Sequence, residues 1–269
     1  MWAELDEIPW RKMRHEFGRA TDVPGWLRAS ASPVLAEAME AQFQFDINVY
    51  YIGGGVSPVA VAALPYLVDL AAGTAVHGRD DLIVTITRIL GDAWESQQSV
   101  ETLAGQVPRL LGLLDDPDVR LRCLAVELAG VGGLPHEQAE AALLRRWQVE
   151  TDPAARLNLI LVFGDLLARR PGDLRTLLDG LLDSEDRQVV LAAVHALART
   201  DPDLPHRRVP ELIAAVRDAG VEVWQRTGRF DGSPTAIVHH TGQLLRDGSS
   251  DREVFAAAVP FDGDRRRPA

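Results

Sequence analysis

The sequence predicts an all-α fold, a right-handed α-α superhelix of about five to six helical hairpins. Three observations predict it. Leucine-rich segments recur at near-constant spacing, serine or aspartate stands directly before proline six times, and no convincing strand is present. The stretch from Gly105 to Leu124, GQVPRLLGLLDDPDVRLRCL, holds the whole pattern: the second helix of one pair, an acidic corner, and the first helix of the next.

Composition bounds the answer. A chain of 269 residues with 46% hydrophobic content can bury a sizeable core. Its 28 Lys plus Arg stand against 39 Asp plus Glu, a formal charge of −11, so nucleic acid and anionic membranes are disfavoured as partners and basic ones favoured. The sole cysteine, Cys123, lies between Leu121 and Leu124 in a helical pattern and reads as a core thiol, with no disulfide or cysteine metal cluster. The first residues, MWAELDEIPWRKMRHEF, mix charges early and have no apolar core of a secretory signal. The densest apolar run, Val59 to Ala72, is broken by Pro65 and Asp69 and falls short of the ~20 residues a spanning helix needs. These features place the chain in the cytoplasm, with no membrane partner.

Taken in order, residues 1–31 read as an N-terminal helical cap. Trp2, Trp10 and Trp26 stand among charges, and Ile8, Trp10, Met13 and Phe17 fall at helical spacing, a pattern suited to covering the apolar face of a first repeat. Packing explains the three tryptophans better than a ligand cage does. Helix starts are then marked at Ser32-Pro33, Ser57-Pro58, Asp116-Pro117, Asp152-Pro153, Asp201-Pro202 and Ser233-Pro234, where a capping oxygen precedes a ring pre-set for the first helical position. Phe43 to Ile52 alternates like a strand, but Gly53, Gly54 and Gly55 follow it, so a helix end and loop is the reading.

Residues 32–220 carry the repeat. LPYLVDLAA from Leu64, VPRLLGLLD from Val107, EAALLRRWQ from Glu140, LRTLLDGLL from Leu174 and VPELIAAVR from Val209 align with steps of 43, 33, 34 and 35 residues. Apolar residues match at Leu67, Leu110, Leu143, Leu177 and Leu212, and again at Val68, Leu111, Leu144, Leu178 and Ile213. The partner helices open on acidic turns at Asp116, Asp152 and Ser184, with Arg120, Arg156 and Arg187 close behind. Residues 221–269 close the array: Val221 to Gly232 as a loop or short helix, Ser233 to Arg246 as a helix, Ser250 with Glu253 as a capping box, and GDRRRPA as a mobile tail.

The acidic-Pro opening, the following Arg, the small-residue stripe of Ala125, Ala129, Ala192, Ala193 and Ala196, and the ~34-residue period together resemble HEAT repeats. IPWRKMRHEFGRATDVPGWLRASASP in turn resembles the N-terminal cap of an uncharacterised group of HEAT-repeat proteins from high-GC bacteria. The resemblance implies an armadillo-like α-solenoid scaffold whose second helices line a concave face. It also implies structural roles for Asp116, Asp152, Arg120, Arg156 and Arg187 in a ladder between neighbouring repeats. The first unit departs from the pattern, with its longer step and glycine-rich loop.

On the helical wheel, the side opposite the apolar stripe carries Tyr66, Arg109, Thr176 and Glu211, then Asp69, Arg145 and Asp179, then Asp116, Asp183 and Asp218. Tyr66, Asp69, Arg109, Arg145, Asp179 and Glu211 are the candidate partner-binding residues. Their acidic excess suits a basic protein or peptide, as an adaptor, a regulator or an immunity-type inhibitor of a basic toxin would use it. Chemistry is weakly signalled. His136-Glu137 lacks a second histidine four residues on, His239 and His240 are adjacent rather than four apart, and His195 sits on an apolar stripe as a satisfied core histidine. Gly53–Gly55 and Gly130, Gly132 and Gly133 read as turns, and no cofactor, metal or catalytic set is identified. The enzymatic alternative comes from certain DNA glycosylases of similar architecture, with Trp94, Trp147 and Trp224 beside Asp92 or Asp165 in a cleft, but the negative charge opposes a polyanion.

Overall fold

A computed structural model describes residues 2–50, 57–93, 102, 104–229, 235–246 and 248–259. The described residues are mostly helical, with one short hairpin among them, and they form two compact units, 1–146 and 147–269. The expected cap belongs to the first unit and the expected closing segment to the second. None of the described helices is long and apolar enough to cross a membrane.

The first unit opens with α1 (Trp2–Leu5), a 3-10 turn (Trp10–Lys12), strands β1 (Arg14–His15) and β2 (Gly18–Arg19), α2 (Val23–Ala29) and α3 (Leu35–Phe45). The predicted helical run through Ile8, Trp10, Met13 and Phe17 is therefore corrected to a turn and an antiparallel hairpin, in which Arg14 pairs with Arg19 and His15 with Gly18. Gly18 supplies the reason, with φ of 155° in a region other residues rarely adopt. Helical spacing put Trp10 and Phe17 on one face, yet Trp10 is buried and Phe17 is 73% exposed. The three tryptophans pack separately, as packing residues rather than a cage. Trp10 Nε1 donates to the Leu5 carbonyl at 2.8 Å, Trp2 stacks on Tyr66, and Trp26 lies against His15.

A π-helical turn (Asp46–Tyr50) extends α3 through the stretch that alternates like a strand, and Gly53–Gly55 lie outside the described residues. Beyond them α4 (Pro58–Ala72), α5 (Arg79–Ala93), α6 (Val107–Gly112) with a 3-10 turn (Leu113–Asp115), and α7 (Val119–Gly130) pack in alternation: α5 on α4 and α7, and α6 on α4 and α7. Helix α8 (His136–Val149) follows, and Gly133 in the turn before it lies so close to the Leu90 carbonyl that a Cβ would sit 2.9 Å away. Cys123 is buried in α7, as expected of a core thiol.

The second unit contains α9 (Pro153–Arg169), α10 (Leu174–Leu181), α11 (Arg187–Leu197), α12 (Leu204–Arg207), α13 (Val209–Val216), a 3-10 helix (Ala219–Arg226), α14 (Ala236–Gln243) and α15 (Ser250–Ala258). Helix α11 packs on α9, α10 and α13. The α9–α11 contact is backbone-close, since a Cβ on Gly164 would fall 2.5 Å from Ala196 Cα. The aligned leucines fill both cores. Leu67, Leu110, Leu143 and Leu212 are buried, whereas in α10 the register slips by one and Leu178 replaces Leu177.

The proline marks divide. Ser57 caps α4 by accepting from Ala60 N–H at 3.1 Å, and Asp152 caps α9 by accepting from Ala154 and Ala155. At Asp116 the mark is two residues early: Asp118 caps α7, because Asp116 is buried and engaged elsewhere. Ser32 and Asp201 likewise precede their helices by two residues or more, and Ser233-Pro234 lies outside the described residues. The C-terminal capping box shifts by one, since Ser249 rather than Ser250 caps α15.

Candidate functional site

The corners between helices are held by ion pairs. Arg79, at the start of α5, bonds Asp116 in the corner before α7, and its Nε donates to the Ala71 carbonyl at 2.7 Å. Both side chains are nearly buried, at 11% and 6% exposed. Arg120 returns the contact to Asp80 at 2.8 Å. In the second unit Arg187 pairs with Asp218 at 3.3 Å and Arg226 with Asp152 at 3.0 Å. Arg156 does otherwise, lying 3.9 Å over the Trp147 ring. Asp116, Asp152, Arg120 and Arg187 thus hold corners within their own units.

The six residues expected on an outward face are not equivalent. Tyr66 is a correction: it is buried, because α4 is covered on that side by Trp2, whose ring lies 6.3 Å away. Burial, then the negative charges of Glu4, Glu7 and Asp6, push its phenol pKa up. Asp69 and Arg109 bond each other. Arg145 is exposed and lines a groove of 530 Å³ with Leu111, Asp115 and Glu137. In the second unit Asp179 pairs with Arg175 at 3.0 Å and Glu211 with Arg208 at 3.1 Å. Each of the three expected carboxylates therefore already has a guanidinium beside it. Asp116 and Asp218 are also paired, leaving Asp183 as the exposed member of that set.

A groove the sequence reasoning missed lies on the first unit. Leu35, Met39 and Phe43 fall four residues apart on α3, and Leu35 and Phe43 are 57% and 56% exposed. Met39 and Phe43 line a 260 Å³ hollow with Leu82 and Val84 of α5, and with Asp46, Asp81 and Arg88. Arg88 and Asp46 pair at 3.3 Å, whereas the Asp81 carboxyl is held above its usual range by burial, then Asp80. The i, i+4, i+8 spacing was visible in the sequence, but the strand-like alternation after Phe43 concealed it.

A convergent polar cluster lies in the second unit, on α9. Asp165 of α9 is 10% exposed at its side chain and bonds both Arg199 and Arg229. With His195, Leu161 and Leu244 these residues line a 280 Å³ pocket. His195 Nε2 lies 2.9 Å from Thr241 Oγ1, whose own proton goes to the Ile237 carbonyl, so Nε2 is the donor. Burial, then His240 and Arg229, lower its pKa to about 3. The ring is thus neutral near pH 7 and bonded to Thr241, as its apolar stripe predicts, but it is half-buried at the pocket wall rather than sealed in the core. The tryptophans do not join Asp165. Trp224 is buried with Nε1 donating to Gln188 Oε1 at 2.7 Å, and Trp147 packs edge-on against Phe163. Trp94 lies outside the described residues, as does the side chain of Asp92.

His136 pairs with Glu140 at 3.2 Å, and the His239 and His240 rings lie edge to face. Among the described residues no group of His, Cys, Asp and Glu is arranged to hold a metal ion. Set against known protein families, curated proteins and solved structures, the chain matches none.

Proposed function

We propose that the chain is a protein-interaction module that captures a basic polypeptide, as an adaptor, regulator or immunity-type inhibitor, and that it is a HEAT-type scaffold. The observation that carries this reading is the groove beside α3. A Leu35–Met39–Phe43 stripe, exposed at Leu35 and Phe43 and half-buried at Met39, leaves apolar surface in water next to Asp46 and Asp81, with a net negative rim of two carboxylates against Arg88. A partner helix presenting leucine-like residues flanked by Lys or Arg satisfies both features. Elsewhere the arginines are largely engaged with the chain's own carboxylates, so the −11 surplus is what a distant partner meets.

The test uses Phe43→Asp and Asp81→Asn in the full chain, with a basic partner recovered from the native host as probe. Both positions face the groove, and Phe43 is exposed, so folding by circular dichroism is expected to persist. Capture should weaken at least about ten-fold for Phe43→Asp. Unchanged capture by both variants counts against the reading.

A second reading, an enzyme acting on a small molecule or nucleic acid, rests on Asp165 between Arg199 and Arg229. The separate burial of Trp147 and Trp224 weighs against the glycosylase version of it. Release of alkylated bases from DNA by the wild type, lost in Asp165→Asn, would favour it.

A further inference from the structure

The β1–β2 hairpin combines two features that folding alone does not reward. Phe17 stands at its tip, 73% exposed, on a chain whose other aromatic side chains near the N-terminus are packed against neighbours. Arg14 and Arg19 are direct cross-strand partners, an arrangement of like charges that destabilises a ladder. Arg11 and Lys12 precede β1, and all four cations are exposed. Among the described residues none of the four is in an ion pair, although arginines elsewhere commonly are. Glu16 is the one carboxylate in the same run.

The hairpin is nonetheless held firmly at its base. His15 is buried, with Nδ1 accepting from Phe17 N–H at 3.2 Å. Nε2 then carries the proton and donates to Asp22 at 3.0 Å. The backbone N–H of Glu16 reaches the Asn48 carbonyl, and that of Ala20 the Met13 carbonyl at 3.2 Å. A rigid base holding an exposed aromatic among unpaired cations is a preorganised anchor.

We propose that this hairpin is a second docking site, of opposite sign to the α3 groove, for an acidic polypeptide segment: an apolar side chain seats against Phe17 and carboxylates meet Arg11, Lys12, Arg14 and Arg19. Arginine and aromatic residues are the side chains that dominate protein interfaces energetically, and a bound carboxylate relieves the Arg14–Arg19 repulsion. A bilayer is a poorer fit, because one phenylalanine supplies little area for insertion. Nucleic acid is poorer too, since the −11 chain repels a long polyanion more strongly than a short acidic segment held at the hairpin. The inference goes beyond the groove and stands on different residues; with both sites the module bridges a basic and an acidic partner.

The experiment measures fluorescence anisotropy of a labelled peptide of alternating glutamate and leucine against the full chain. A lysine–leucine peptide, phosphatidylserine vesicles and a single-stranded oligonucleotide are compared in parallel. The acidic peptide is expected to bind, to weaken roughly ten-fold or more with Phe17→Ala, and to be lost with Arg19→Glu. Arg19→Glu should leave the melting temperature unchanged or raised, since it turns a repulsive cross-strand pair into an attractive one. A merely structural role predicts a lowered melting temperature instead. The proposal is overturned if the acidic peptide fails to bind, if it binds Phe17→Ala equally well, or if only vesicles or the oligonucleotide respond to these variants. It is also overturned if sedimentation shows a dimer that Phe17→Ala dissolves, which makes a second copy the occupant. It is overturned as well if Phe17→Ala releases the lysine–leucine peptide rather than the acidic one.

Discussion

Replacing Gly164 with alanine tests how closely α9 and α11 approach. The added Cβ would lie 2.5 Å from Ala196 Cα, 2.6 Å from its carbonyl oxygen and 2.7 Å from its Cβ. Ordinary contact begins near 3.4 Å, so the two helices must separate by most of an ångström. The obstructing atoms are backbone and a Cβ, with no flexible side-chain end to swing away. Overpacking of this kind costs about 1–3 kcal/mol, and the upper part of that range applies here. Alanine's better helix propensity returns about 1 kcal/mol, leaving a net loss of roughly 1–2 kcal/mol. Gly180 is the matched control, because nothing lies within 4 Å of a Cβ there and the residue is exposed in α10. Gly180→Ala should stabilise by about 0.5–1 kcal/mol. Urea unfolding followed by far-UV circular dichroism compares the two. Opposite signs are expected; if Gly164→Ala stabilises the chain as Gly180→Ala does, the close packing of α9 on α11 is refuted.

Other consequences are equally direct. His195 stays neutral in the folded chain down to about pH 3, whereas the unfolded chain protonates it near 6.5. Stability from this group is therefore full above pH 6.5 and falls with decreasing pH, by about 1.4 kcal/mol per unit toward pH 3. His195→Gln cannot take up that proton, so its stability curve between pH 7 and 5 should be flatter by about 2 kcal/mol; parallel curves would count against burial of the imidazole. Asp116→Asn leaves the nearly buried Arg79 guanidinium without its counter-charge and should cost about 3 kcal/mol in urea unfolding. Arg175→Ala, at the exposed pair with Asp179, should cost under about 1 kcal/mol, and equal losses would contradict the difference in burial.

The helical class was legible because the 3.6-residue period is written in the leucines: Leu67, Leu110, Leu143 and Leu212 are all buried where the alignment puts them. The same wheel failed at Tyr66, since amphipathic reasoning assumes a solvated far side and α4 is covered there by Trp2. The resemblance pointed to Asp116, Asp152, Arg120 and Arg187 as structural, but their pairings were out of reach for a related reason. Arg79 and Asp116 are 37 residues apart, Arg109 and Asp69 are 40, and Arg187 and Asp218 are 31, so each links corners about one repeat apart. Periodicity locates those corners but does not say which charges meet across them. The hairpin escaped because two-residue strands carry no alternation to read, and Gly18 was its one local sign. For the candidate site, the acidic character was visible in the composition, while the exposed α3 stripe and the neutralisation of Asp69, Asp179 and Glu211 emerged only from packing.

That the chain holds another polypeptide, rather than transforming a small molecule, is tested most directly by native mass spectrometry of the protein recovered from the cells that make it, at low and then high ionic strength. The account predicts a stoichiometric complex with a second protein that dissociates as salt rises. A bare chain at every ionic strength, or one carrying only nucleotide or nucleic acid, would contradict it.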